Sequence, residues 1–190
     1  IHILFLGLLS VSINAQQYKK HTLTKDRLSV DLSEGILSII PLTDKSVRIK
    51  YEIGNLSEAQ EFVFINKPNV PSFEFKESET NLKLSTKTIT VAFDKKTGVI
   101  EYSDKSGKVF LSEKANSRLM KPSTIMGEPC FVAEQAFESP QDEYLFGLGQ
   151  FQDGFYNLKN TTRKLIQVNT QIAIPFLVSN KGYGLLWHQY

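Results

Sequence analysis

Residues 88–111 read TITVAFDKKTGVIEYSDKSGKVFL, and they decide the class of fold. Ile89, Val91 and Phe93 recur at every second position, the spacing that turns one face of a β-strand inward. The strand runs into the turn DKKTG (94–98), a second strand follows over 99–102, and a second turn, SDKSG (103–107), leads into a third strand over 108–112. Aspartate at such a corner hydrogen-bonds the backbone two residues on, and glycine accepts the positive φ that the corner needs. Two Asp…Gly turns between short alternating strands predict an antiparallel meander.

The same period extends outward from this stretch. Upstream, Val47, Ile49, Tyr51 and Ile53 alternate with Arg48, Lys50 and Glu52, while residues 36–41 form a continuous apolar strand closed by a turn at 42–45. Residues 62–65, FVFI, read as a strand buried on both faces. The prolines at 68 and 71 break the ladder, and strands resume at Phe73–Phe75 and at Leu82 and Leu84. Downstream, 122–129 reads as a loop, 131–137 as a strand and 138–143 as a polar connector. No helical period of useful length occurs outside the first fifteen residues, with one short stretch at 113–118 left open. The fold class is therefore all-β, a large antiparallel β-sandwich.

Composition narrows the function classes. The chain has 190 residues with Lys+Arg 22 against Asp+Glu 20 and a formal net charge of +2, which makes nucleic acid a poor partner. The single Cys130 excludes an internal disulfide and a cysteine zinc cage, and it reads as a half-buried small hydrophobe. Residues 1–15, IHILFLGLLSVSINA, resemble the apolar region and cleavage site of a secretory signal and are too short for a comfortable membrane span. Without an initiator Met, the chain reads as starting inside that signal, which implies a fragment of a secreted or periplasmic protein. Residues 16–25 read as a polar linker, and 26–190 as one sandwich domain.

The chemistry-bearing end is residues 146–155, FGLGQFQDGF, followed by 174–190, IPFLVSNKGYGLLWHQY. Gly147, Gly149 and Gly154 alternate with aromatic and polar residues, a pattern that reads as a shaped functional turn at a sheet rim. The second piece reads as a hairpin turning at 179–182. Phe176, Tyr183 and Trp187 read as core or inter-domain packing. There is no Ser/His/Asp or Cys/His set and no phosphate loop. Asp153 and Glu143 could be named as paired carboxylates, yet Glu143 lies in a connector and spacing alone does not bring them together as a glycosidase pair requires.

FGLGQFQDGF, the variable NLKNTTRKLIQVNTQIA (157–173) and IPFLVSNKGYGLLWHQY, in that order, resemble the N-terminal β-sandwich of glycoside hydrolase family 31, which includes α-glucosidases and α-xylosidases. The meander at 88–111 resembles the strand–turn–strand core of the same domain, and the likeness covers about residues 28–190. Gln150 in place of Glu looks most like the bacterial, α-xylosidase-like branch. The resemblance implies a galactose-mutarotase-like supersandwich that precedes a (β/α)₈ catalytic barrel. The family's nucleophile lies in a W-x-D-M-N-E type motif on that barrel. This motif is absent, so the expectation is no catalytic residue and no hydrolase activity in these 190 residues. The whole enzyme would act on terminal α-linked sugars of oligo- or polysaccharides by a retaining double displacement.

In the family the loop before the "PF" strand borders the substrate subsites. Here that loop maps to 167–171, so Asn169, Thr170 and Gln171 are implied to line the substrate, with Asp153 and Gln152 second. Amide and hydroxyl groups both donate and accept hydrogen bonds, which suits sugar hydroxyls. No metal or organic cofactor is implied, and the implied partner is the C-terminal barrel of the same polypeptide. The competing reading is a stand-alone carbohydrate-binding or interaction sandwich. It calls for a closed polar surface, whereas a detached enzyme domain calls for a bare apolar face.

Overall fold

The structure is a computed structural model, and it describes residues 16–54, 61–66 and 69–188. The signal-like stretch 1–15 lies outside the described residues. One sheet holds β1 (Tyr18–Leu23), β2 (Leu28–Leu32), β3 (Ile36–Thr43) and β4 (Ser46–Glu52) in chain order. A second holds β5 (Glu74–Glu77), β6 (Asn81–Ser85), β7 (Ile89–Asp94), β8 (Ile100–Asp104) and β9 (Val109–Ser112), again in chain order. Every neighbouring pair is antiparallel. The meander read from residues 88–111 is β7–β8–β9.

The core lies between these two sheets. Leu28, Val30 and Leu32 of β2 with Leu37 and Ile39 of β3 meet Leu82 and Leu84 of β6, Val91 and Phe93 of β7, and Ile100 of β8. Each strand offers every second residue, so the period-two pattern becomes one continuous apolar layer. Each such side chain contributes roughly 1.5–3 kcal/mol by leaving water. The chain then forms an isolated ribbon, β10 (Leu119–Ile125) and β11 (Glu128–Glu134), and a three-stranded sheet, β12 (Leu145–Gln150), β13 (Ile172–Ser179) and β14 (Tyr183–Leu186), in the order β12–β13–β14. The hairpin expected at 174–190 is β13–β14, and it turns where Gly182 donates its N–H to Ser179.

Several local expectations are corrected. Residues 16–25 are not a linker, since β1 pairs with β2 along the edge of the first sheet. Its polar sequence fits an edge strand: Tyr18 packs on the core and His21 is half-buried, while Lys19, Lys20, Thr22 and Leu23 are exposed. The run 62–65 is not a buried strand, because Phe62 and Ile65 are 71% and 74% exposed. Glu61 Oε1 accepts the N–H groups of both Val63 and Phe64 at 3.0 Å, so a carboxylate-capped turn replaces the ladder.

The loop expected at 122–129 is instead the β10–β11 ribbon, turning through Met126 and Gly127 at φ 51° and 87°. Pro122 and Pro129 are tolerated because each strand of a two-stranded ribbon is an edge. Cys130 sits half-buried on β11. The stretch 113–118 is not helical. Glu113 bridges to Phe137, and its buried carboxylate accepts the Ile100 N–H at 3.1 Å and pairs with Arg118.

Candidate functional site

β12 carries the glycine stretch, and its backbone shows why glycine is needed there. Gly147, Leu148 and Gly149 stand consecutively at φ 104°, 62° and 101°, a conformation that L side chains avoid. A Cβ on Gly149 would lie 1.9 Å from the Ile172 carbonyl oxygen, and one on Gly147 would lie 2.5 Å from that of Phe176. The kink also changes the register: Gly147 faces Leu177, whereas Gly149 faces Ala173. Ile174, Pro175 and Phe176 therefore bulge opposite Leu148. Pro175 loses no ladder bond there, and its carbonyl accepts the Trp187 N–H at 2.8 Å.

Beyond Gln150 the chain leaves the sheet as a rim loop, residues 151–163, which is tied down along its length. Asp153 and Arg163 form an ion pair at 2.5 Å, the Arg163 guanidinium lies 4.1 Å from the centre of the Phe151 ring, and the Phe155 N–H donates to Asp153 at 3.3 Å. Burial pushes the Asp153 carboxyl up, but the Arg163 hydrogen bond, the Phe155 N–H and the Arg163 charge outweigh it and hold the group below its ordinary range. The loop returns to the sheet where Asn157 Oδ1 accepts the Leu145 N–H at 3.0 Å and the Leu158 N–H reaches the Leu145 carbonyl at 2.8 Å. Leu158 is buried there as an anchor. A cavity of about 310 Å³ remains, walled by Phe146, Gln150, Phe151, Phe155, Tyr156 and the Asp153–Arg163 pair among others.

Asn169 and Thr170 are exposed, and Gln171 is half-buried, on a tight turn closed by the Gln171 N–H on the Val168 carbonyl at 3.1 Å. Ile172, the next residue, pairs with Gln150. The register thus puts this turn and the start of the rim loop at one end of the same sheet, so Asn169, Thr170, Gln171, Gln152 and Asp153 fall in one neighbourhood. Within it Gln152 is exposed, whereas the Asp153 carboxylate is committed to the loop clamp. Glu143 sits at the opposite end. It is 2% exposed and accepts the hydroxyls of Ser139, Ser179 and Tyr183 at 2.6, 2.5 and 2.7 Å.

The Glu143 carboxylate is engaged by three hydroxyls and the Asp153 carboxylate by Arg163, and among the described residues no hydrogen bond or ion pair brings the two together as a hydrolysing pair requires. Among the described residues, no group of three or more His, Cys, Asp or Glu side chains could hold a metal ion. No helix among them is long and apolar enough to cross a membrane. Sequence reading missed Arg163, whose only signal was a lone arginine ten residues after Asp153. It also missed the Glu143 hydroxyl cluster, which joins residues 36 and 40 positions apart.

The fold and this rim define a class, the galactose-mutarotase-like all-β domain. A family model described as the glycosyl hydrolase 31 N-terminal galactose mutarotase-like domain matches residues 36–190, and the chain belongs to glycoside hydrolase family 31 as that N-terminal domain. An α-xylosidase of Saccharolobus solfataricus is 28% identical over 161 residues, which is 78% of this chain and 21% of that protein. Among solved structures, the α-xylosidase of Xanthomonas citri aligns with a TM-score of 0.80 at 28% identity, over 87% of this chain and 18% of its own. An α-xylosidase from a soil metagenome, solved with xylose, aligns with a TM-score of 0.76 at 26% identity, over 89% of this chain and 28% of its own. The chain thus matches under a third of the length of each of these relatives.

Proposed function

We propose that this chain is the non-catalytic N-terminal domain of a secreted retaining α-glycosidase, an α-xylosidase or α-glucosidase. In this reading it packs on the catalytic barrel of the same polypeptide and lends the turn at Asn169–Gln171 to the substrate pocket. The observation that carries the reading is the bare face of β13. Ile172, Ile174, Phe176 and Val178, every second residue of the strand, are each 40–48% exposed. Trp187 is 36% exposed beside them, and Phe62, Val63 and Ile65 lie open on a run that Phe64 joins to His188 edge-on at 5.4 Å. Alternation of this kind is written for burial against another body. It argues against the self-contained, polar-surfaced binding module.

The chemistry of each part follows. The barrel would supply nucleophile and acid/base carboxylates for a double displacement. The sandwich turn would supply amide and hydroxyl groups that hold sugar hydroxyls without a fixed charge, positioning the ring for attack. The names of the relatives support α-xylosides as the first substrates to try. The test compares two proteins on p-nitrophenyl α-D-xyloside and α-D-glucoside. The longer polypeptide containing this sequence should release p-nitrophenol, and the 190-residue chain should release none above the uncatalysed rate. Turnover by the chain alone, or an inactive longer polypeptide, overturns the reading.

A further inference from the structure

The β13 face and the rim cavity differ in chemistry. The face offers aliphatic and aromatic side chains in a flat row, as a protein partner requires. The cavity instead mixes aromatic rings with a charged pair and an amide, and charge is depleted at the centre of protein–protein contacts. Its volume of about 310 Å³ lies at the lower end of the range for small-ligand sites, about 300–1,000 Å³. Two rings stand out on its wall: Phe155 is 60% and Tyr156 84% exposed. The Tyr156 ring is nonetheless held, because it meets Phe146 edge-to-face at 5.1 Å, and the backbone that carries Phe155 is tied by its N–H to Asp153 and by the loop's anchors at Arg163 and Leu158.

We propose that Phe155 and Tyr156 form a glycan-stacking subsite that receives the flat C–H faces of pyranose units beyond the one being cleaved, with Gln150 and the outer edge of the Asp153–Arg163 pair bonding their hydroxyls. A fixed ring loses little freedom on binding, so stacking on it is not offset by ordering. Asp153 then acts as a positioning residue that holds the platform. The proposal rests on the functional reading above, because it extends the same substrate path from the turn at Asn169–Gln171 along the rim.

The experiment uses the longer polypeptide and two substrates, p-nitrophenyl α-D-xyloside and an α-linked oligosaccharide of at least four units. The readout is the ratio of KM for the oligosaccharide to KM for the aryl glycoside. Phe155→Ala with Tyr156→Ala should raise this ratio about ten-fold, Tyr156→Trp should restore most of it, and kcat on the oligosaccharide should stay near wild type. Phe131→Ala, removing a half-exposed ring on the separate β10–β11 ribbon, is the control and should leave the ratio alone. An unchanged ratio in the double variant overturns the subsite. So does a fall in Tm with equal loss on both substrates, which would make the rings a packing contact with the barrel. A wild-type enzyme that cleaves neither substrate overturns the functional reading itself, and is told apart by needing no variant.

Discussion

Glu143 shows how much one side chain decides in this fold. Burial raises its carboxyl, yet the hydroxyls of Ser139, Ser179 and Tyr183 outweigh burial and leave it below the ordinary range. Tyr183 responds in the opposite sense, pushed up to about 12 by burial and by its hydrogen bond to Glu143. A depressed carboxyl contributes stability that is complete above the unfolded pKa, about 4.3, and is lost as pH falls through the folded value. Glu143→Ala should cost about 2 kcal/mol near neutral pH, since it strands the buried Ser179 hydroxyl and the half-buried Tyr183 hydroxyl, and Glu143→Gln should cost less. Urea titrations should show the gap between wild type and Glu143→Gln narrowing below about pH 4.3. Glycine gives a sharper contrast. Gly149→Ala meets the Ile172 carbonyl and should cost at least about 3 kcal/mol, whereas Gly182→Ala, at φ 89° with open space around it, should cost about 1 kcal/mol. The letters around 143 read only as a polar connector, because three hydroxyls gathered from distant positions leave no local pattern.

At the scale of the element, turns were legible where their chemistry is local and hidden where pairing alone makes the strand. DKKTG and SDKSG announce β7–β8–β9, since Asp94 and Asp104 each accept backbone N–H groups inside their own turn. β1 gave no such sign, as an edge strand needs only Tyr18 to face the core. The β10–β11 ribbon was hidden because Met126 occupies a position that usually takes Asn or Gly. That mismatch is testable. Met126 is 99% exposed and so makes no packing contribution, yet it holds φ 51°. Met126→Asn should stabilise the ribbon by about 0.5–1 kcal/mol, read as slower amide hydrogen exchange along β10 and β11. Met126→Val should do the reverse, because a β-branched residue resists this backbone.

For the molecule as a whole, the strand order gathers the first two sheets around one apolar core. The sheet β12–β13–β14 carries both the rim and an unmatched apolar face, and so looks in two directions. The rim was legible from its glycines and aromatics. A bare apolar face was expected of a detached domain, but its place on β13 was not legible, since alternation along residues 172–178 says that one side is buried without saying by what. Ile174→Lys with Val178→Thr tests what covers it, through a change of sign. In the 190-residue chain both side chains face water, so the pair should leave Tm nearly unchanged and reduce self-association in sedimentation. In the longer polypeptide the lysine would enter a closed contact between domains, and the same pair should destabilise the enzyme by about 2–4 kcal/mol and lower its Tm. Equal destabilisation in both settings would mean that the face is closed within the sandwich itself, and no effect in either would mean that it docks nothing.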